Sequence, residues 1–191
     1  MTPKKNTHMS ERLIPYQPMD LAEPAALVAA IRERRGGQFM NLDRMLLHSV
    51  PIAEGWNQFI GGIRNRLSLD PKLRELAMCS VAVLNNAEYE FFHHAPPFKK
   101  AGGTEEQVQA LRLIGQAHFP RELFSQVEND AADLSLQMTR NIKVDPELMK
   151  RLQKSLGNTD TVELVTVIAA YNMVSRFLIA LDVHPEDHPP A

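Results

Sequence analysis

Apolar residues recur along most of the chain at a spacing near 3.6, the signature of amphipathic α-helix, and no segment alternates convincingly with period 2. From Asp20 onward the pattern predicts a series of helices. LAEPAALVAAIRERRGG is bounded by Asp20 as N-cap and by Gly36-Gly37 as stop. QFMNLDRMLLHSV and PIAEGWNQFIGGIRNRL follow, the second with Pro51 suited to a first helical turn. DPKLRELAMCSVAVL opens on Asp70 as N-cap with Pro71 at the first helical position. TEEQVQALRLIGQAHF opens on a capping box, Thr104 with Gln107. A long polar helix is expected over roughly 120–141, and DPELMKRLQKSLG repeats the Asp-Pro opening at Asp145-Pro146. The last segment, DTVELVTVIAAYNMVSRFLIAL, starts at Asp160 with Glu163 in the reciprocal position. It is apolar on nearly every side, as befits a core or a subunit interface. The expected fold class is all-α, a bundle of about eight helices forming a single domain over residues 20–183. An extended N-terminal arm covers 1–19 and a loose tail, HPEDHPPA, covers 184–191.

Composition narrows the functional classes. A chain of 191 residues holds one well-buried core. Its net charge of −2 gives no reason to expect nucleic acid or an anionic membrane as partner. No apolar run approaches a membrane span of about 20 residues, and MTPKKNTHMS lacks the apolar region of a secretory signal, so the expected location is cytoplasmic. The single cysteine, Cys79, cannot form an internal disulfide or a CxxC metal site.

The chemistry concentrates in NNAEYEFFHHAPPFKKAGG, residues 85–103. On an unbroken helix Glu75 and Glu90 would stand about 22 Å apart and could not share a substrate. Asn85-Asn86 offers a break, and Asn85 with Glu88 resembles a capping box. The reading is therefore a helix over 71–84, a tight turn, and a second helix over 86–95 that ends near Pro96. On the second helix Glu90 and His94 share a face at i, i+4, with Tyr89 and His93 as a neighbouring pair at the same spacing. Such pairs are common on exposed faces, so spacing alone does not make a site. Burial against Phe91, Phe92 and Phe98 would raise the glutamate pKa and lower that of histidine, tuning the pair for proton transfer. A metal site from Glu90, His93 and His94 is a weaker signal, because adjacent helical side chains diverge by about 100°. His8, His118, His184 and His188 read as surface or tail residues, and Cys79 as a small buried hydrophobe.

These residues resemble the carboxymuconolactone decarboxylase family, which includes the alkylhydroperoxidase D group. The resemblance is best over 71–111, LRELAMCSVAVLNNAEYEFFHHAPPFKKAGGTEEQVQAL at its heart. It extends more loosely through RRGGQFMNLDRMLLHSVP and YNMVSRFLIALDV. It implies an alkylhydroperoxidase D-like helical fold and a homo-oligomer (dimer, trimer or hexamer) with the site near a subunit boundary. In the peroxidase members the short helix carries CxxC followed by histidine, with a glutamate on the preceding helix. Glu75 and His94 match the glutamate and histidine, but the two cysteine positions fall on Ala87 and Glu90, so the disulfide mechanism is disfavoured. The decarboxylase branch instead places a glutamate four residues before the histidine, which Glu90 and His94 fit.

Glu75, Glu90 and His94 are thus the catalytic candidates, and Tyr89, His93, Arg74 and Arg176 the candidates for binding substrate. No cofactor or metal is expected, and the partner is a small molecule, with no nucleic acid and no membrane. Three functions stand. One is cofactor-free lyase or isomerase chemistry on a small organic acid or lactone; another is thiol-dependent peroxiredoxin-type activity; the third is a non-catalytic or metal-binding role.

Overall fold

The computed structural model describes residues 13–186. His8, His188, residues 1–12 of the expected arm and residues 187–191 of the tail lie outside them. Among the described residues there are eight α-helices and no strand. They are α1 (Ala25–Arg34), α2 (Asn41–Leu46), α3 (Val50–Asn65), α4 (Pro71–Leu84), α5 (Glu88–Lys100), α6 (Glu105–Leu111), α7 (Gln126–Arg140) and α8 (Pro146–Ala180), with a 3₁₀ turn at Arg121–Leu123. Two compact units divide between Glu54 and Gly55, inside α3.

In the first unit the helix expected from Asp20 begins only at Ala25. Pro24 has no N–H to donate and holds the extended backbone of the N-cap position, and the Glu23 carboxylate, not Asp20, accepts from the Ala25 N–H at 2.9 Å. Asp43, almost wholly buried, accepts from Arg35 Nε at 2.9 Å, from Arg34 Nη2 at 3.2 Å and from the Met40 N–H at 3.1 Å. A buried carboxylate held by two guanidinium groups is a fixed anchor, costly to break from either side.

The second unit is built around α4, which packs against α5, α7 and α8, while α7 also packs on α8. Its start is the one expected: Asp70 accepts from the Leu73 N–H at 3.0 Å, with Pro71 at the first position. Leu76, Ala77, Met78, Cys79, Ser80 and Val81 follow with no solvent exposure. A helix buried all round loses its amphipathic stripe, which is why the apolar run in this segment is continuous. The Thr104–Gln107 capping box also forms, but α6 stops at Leu111 rather than running on to Phe119.

The long polar helix expected from about 120 starts at Gln126, behind Ser125 and Glu128 as a reciprocal cap. Its polar side chains are committed to contacts. Glu128 meets Lys72 at 2.6 Å, Asp130 meets Arg151 at 2.9 Å, and Asn129 donates to the carbonyls of Arg121, Phe124 and Ser125. In α8 the helix breaks at Gly157, whose φ of 76° and ψ of 179° are open to glycine. The segment expected to start at Asp160 is already helical there. Ser68 Oγ instead lies in bonding range of both Asp160 and Glu163, and Glu163 accepts from the Leu69 N–H at 2.8 Å, which fastens the approach to α4. α8 is long and apolar enough, by length and composition, to cross a membrane. In this fold Leu164, Val167, Ile168, Tyr171 and Leu178 bury that apolar surface in the core.

The largest departure from the sequence reading is at α5, which runs through Pro96 and Pro97 to Lys100 instead of stopping after His94. The prolines leave the carbonyls of Phe92 and His93 without their helical donors. Two features outweigh that loss. Phe98 is fully buried, and the helix closes in a Schellman stop, with the Gly103 N–H on the Phe98 carbonyl at 2.9 Å and the Gly102 N–H on that of Lys99 at 3.0 Å. Gly103 lies against the Phe98 ring so closely that an added Cβ would fall 2.4 Å from Cε1. Gly103→Ala is therefore expected to lower stability by about 1–3 kcal/mol in urea unfolding, as overpacked cores do, with helical content retained.

Candidate active site

The site begins with a chain reversal. α4 ends at Leu84, and Asn86 takes the left-handed conformation, with φ of 56°. The Ala87 N–H donates to the Ala82 carbonyl at 2.8 Å and the Asn86 N–H to that of Val83 at 3.1 Å, a second Schellman stop. Asn85 is thus the last cap of α4 and not, as the sequence suggested, the first cap of the next helix. Ala87 occupies that place without a side-chain bond, and the Asn85 amide donates to Asn172 instead. Asparagine suits the reversal because its short polar side chain tolerates positive φ.

The reversal brings α5 back along α4 and joins Glu75 to His94, with Nδ1 and Oε2 2.7 Å apart and both side chains buried. Burial drives the imidazole towards its neutral form; the Glu75 bond opposes this without prevailing, and the His94 pKa lies below its ordinary value. Burial also pulls Glu75 upward, but the hydrogen bond from His94 and the nearby charges of Arg64 and Arg74 outweigh it. The carboxyl stays below its ordinary range. A neutral imidazole beside a carboxylate places its proton on Nδ1, donating to Glu75, and leaves Nε2 as the basic nitrogen. The Tyr171 ring stands edge-on to His94, with centroids 4.9 Å apart, and fixes the plane of the imidazole.

Glu90 is placed differently from the expected Glu90–His94 partnership. One turn before His94 on α5, it meets Ser175 Oγ, one turn beyond Tyr171 on α8. Burial pushes its pKa up to about 8, against the lowering effect of the Ser175 bond. Hydrogen counting points the same way. Ser175 Oγ lies in bonding range of both Glu90 Oε2 and the Tyr171 carbonyl, the latter at 2.9 Å, yet a hydroxyl has one hydrogen. If Ser175 donates to the carbonyl, the proton between Ser175 and Glu90 belongs to the carboxyl. Glu90 Oε1, buried and without a hydrogen-bond partner, suits the carbonyl oxygen of a neutral acid better than half of a carboxylate.

Tyr89 and His93 contact a residue the sequence reading missed. Tyr89 Oη donates to Glu186 Oε1 at 3.1 Å, and His93 Nε2 lies 2.7 Å from Glu186 Oε2. His118 and His184 are exposed, as expected. Arg74 borders the site through Glu75 at 3.4 Å, whereas Arg176 is exposed and donates to the Asn172 carbonyl and side chain on its own helix. Glu90, His93 and His94 engage Ser175, Glu186 and Glu75 separately, and no metal-binding group of three acidic, histidine or cysteine residues gathers among the described residues. Cys79, one turn after Glu75, is fully buried. That burial, with Glu75 and Glu90 beside it, pushes its thiol far above the range where thiolate forms. Arg64, Tyr171, Ser175 and Glu186 were not among the candidates. The only signal for Ser175 was a hydroxyl set in an apolar helix.

A neutral Glu90 has a thermodynamic signature. Its folded pKa is raised, so its contribution to stability is complete below the ordinary value of 4.5 and lost as pH rises towards about 8. Above pH 7 the depressed pKa values of His94 and Glu75 no longer matter. Stability from urea unfolding is expected to fall between pH 7 and 8 by up to about 1.4 kcal/mol per unit, and Glu90→Gln to flatten that slope. Equal slopes in the two proteins would show that Glu90 is ionised.

The model of the Carboxymuconolactone decarboxylase family matches residues 51–123, the segment that carries Glu75, Glu90 and His94. No curated protein sequence matches the chain. Among solved structures it is similar to an uncharacterized peroxidase-related protein from Silicibacter sp. TM1040, with a TM-score of 0.76, 16% identity, and 94% of this chain and 96% of that one covered. A second is an uncharacterized peroxidase-related protein with an alkylhydroperoxidase AhpD core from Ralstonia eutropha JMP134, with a TM-score of 0.75, 13% identity, and coverage of 90% and 92%. A third is a debrominase variant in complex with 2,3,4-tribromopyrrole, with a TM-score of 0.74, 14% identity, and coverage of 93% and 95%. At such identities these likenesses concern the fold. Residues 51–123 thus carry the carboxymuconolactone decarboxylase family pattern on an alkylhydroperoxidase D-like helical fold, without the paired cysteines.

Proposed function

We propose that the protein is a cofactor-free acid–base enzyme, a lyase or isomerase acting on a small organic acid or lactone. The observation that carries this reading is the opposite setting of two buried groups one helical turn apart. Glu90 holds a proton at neutral pH, while His94, aligned by Glu75, presents a basic nitrogen. In this scheme His94 Nε2 takes a proton from a carbon next to a carbonyl. The developing imidazolium is stabilised by the Glu75 carboxylate, and Glu90, held by Ser175, gives its proton to the rearranged substrate. A pKa near the working pH favours transfer in both directions. The thiol route finds little support, because Cys79 is buried as a thiol and has no second cysteine to resolve an oxidised product.

The test is a pair of screens. One follows lactones and keto acids by ultraviolet absorbance, and the other follows hydroperoxide turnover with a dithiol reductant. Activity is expected in the first. His94→Ala and Glu90→Gln should each lower it by about 10²–10⁴, while Cys79→Ser leaves it largely intact. Peroxide turnover that vanishes in Cys79→Ser would overturn the acid–base reading in favour of the antioxidant one.

We also propose that the chain self-associates. Val162, Met173 and Ile179 on α8 and Phe59 on α3 are exposed. An open groove of about 600 Å³, lined by Phe59, Gly62, Ile63 and Thr166 among others, contains none of the site residues. A second copy of the chain covering these side chains would remove them from water, as large exposed apolar patches at interaction sites are. Light scattering at micromolar concentration should give a multiple of 21.5 kDa; the mass of one chain would refute self-association.

A further inference from the structure

The contact made by Glu186 is a carboxylate seated in a receptor. One of its oxygens accepts from Tyr89 Oη at 3.1 Å, the other lies 2.7 Å from His93 Nε2, an ion-pair distance without the alignment of a hydrogen bond, and its side chain is only 19% exposed. The two receiving groups are preset. They stand one turn apart on α5 with ring centroids 4.4 Å apart, and the Phe92 ring lies edge-on to His93 at 5.0 Å. Glu186, in contrast, arrives on a short strand of chain without helical structure. That chain leaves the end of α8, where the Val183 N–H donates to the Leu178 carbonyl at 2.9 Å. The receptor is carried on a helix and its occupant on a short non-helical tether.

Tyr89 and His93 are also the immediate chain neighbours of Glu90 and His94, so the receptor borders the acid–base pair along the same helix. We infer that Tyr89 and His93 form a carboxylate-binding site that Glu186 fills in cis, and that a small organic carboxylate binds there by displacing the C-terminal segment. The segment is thus a strap that competes with ligand. An intramolecular occupant lowers the apparent affinity of a free ligand by the fraction of time it holds the site. That this ligand is the substrate rests on the acid–base reading above; the binding itself does not.

Propionate, the glutamate side chain as a free molecule, is the probe. Its binding is read from the ring resonances of His93 by NMR in the full-length protein, in Glu186→Ala, and in Glu186→Ala combined with Tyr89→Phe. Removal of the competing carboxylate is expected to tighten propionate binding about tenfold or more. Loss of the phenol should reverse most of that gain, and the neutral amide propionamide should bind none of the three. Affinities equal within twofold for the full-length protein and Glu186→Ala would overturn the proposal, as would an equal response to propionamide. No turnover is needed, so failure here leaves the acid–base reading standing. Inactive screens would in turn leave the carboxylate site standing.

Discussion

Everything chemical in this protein depends on a reversal of direction between α4 and α5. Glu75 and His94 are 19 residues apart, and along a continuous helix they would be separated by about 28 Å. The left-handed Asn86 and the two backbone bonds that close the turn bring them to 2.7 Å. The reversal also fixes which groups meet. With α5 folded back, Glu90 and His94 project towards α8, where Ser175 and Tyr171 share the same helical spacing and receive them in matching order.

Burial then sets the protonation of each group, with different outcomes for the same physical cause. Three ionisable side chains are withdrawn from water to within a few per cent. Glu75 remains ionised because it has a donor and two guanidinium groups nearby. Glu90 has only a serine and keeps its proton. His94 loses its charge although a carboxylate touches it, since burial is the larger influence. Two carboxyl groups in one small region thus take opposite roles, one orienting and one proton-bearing. The difference follows from how many donors each can reach.

Much of this was legible in the chain. The all-helical class, the Asp70-Pro71 start and the Thr104–Gln107 box all follow from local chemistry. Errors arose where a local rule met a stronger tertiary one. Prolines 96 and 97 signal a helix end, but burial of Phe98 and the tight stop at Gly102-Gly103 carry α5 onward. The polar face of α7 looks solvated in sequence, yet Asn129 and Asp130 are buried, the Asn129 amide donating to backbone carbonyls and Asp130 pairing with Arg151. Ser175 lies 85 residues from Glu90, and Glu186 lies 97 from Tyr89. No spacing rule spans such separations, so partners of this kind become visible only once the helices are packed.

The double engagement of Ser175 also limits what evolution can place there. The side chain has to engage both the Glu90 carboxyl and the Tyr171 carbonyl through a single atom, in a position with no solvent exposure. Alanine would strip the carboxyl of its only partner. Asparagine accepts and donates at separate atoms, and cysteine bonds weakly at both. Threonine keeps the hydroxyl but adds a methyl group to a filled core. Each of these replacements therefore disturbs the packing or at least one of the two engagements at position 175, which lies outside the segment that carries the family pattern.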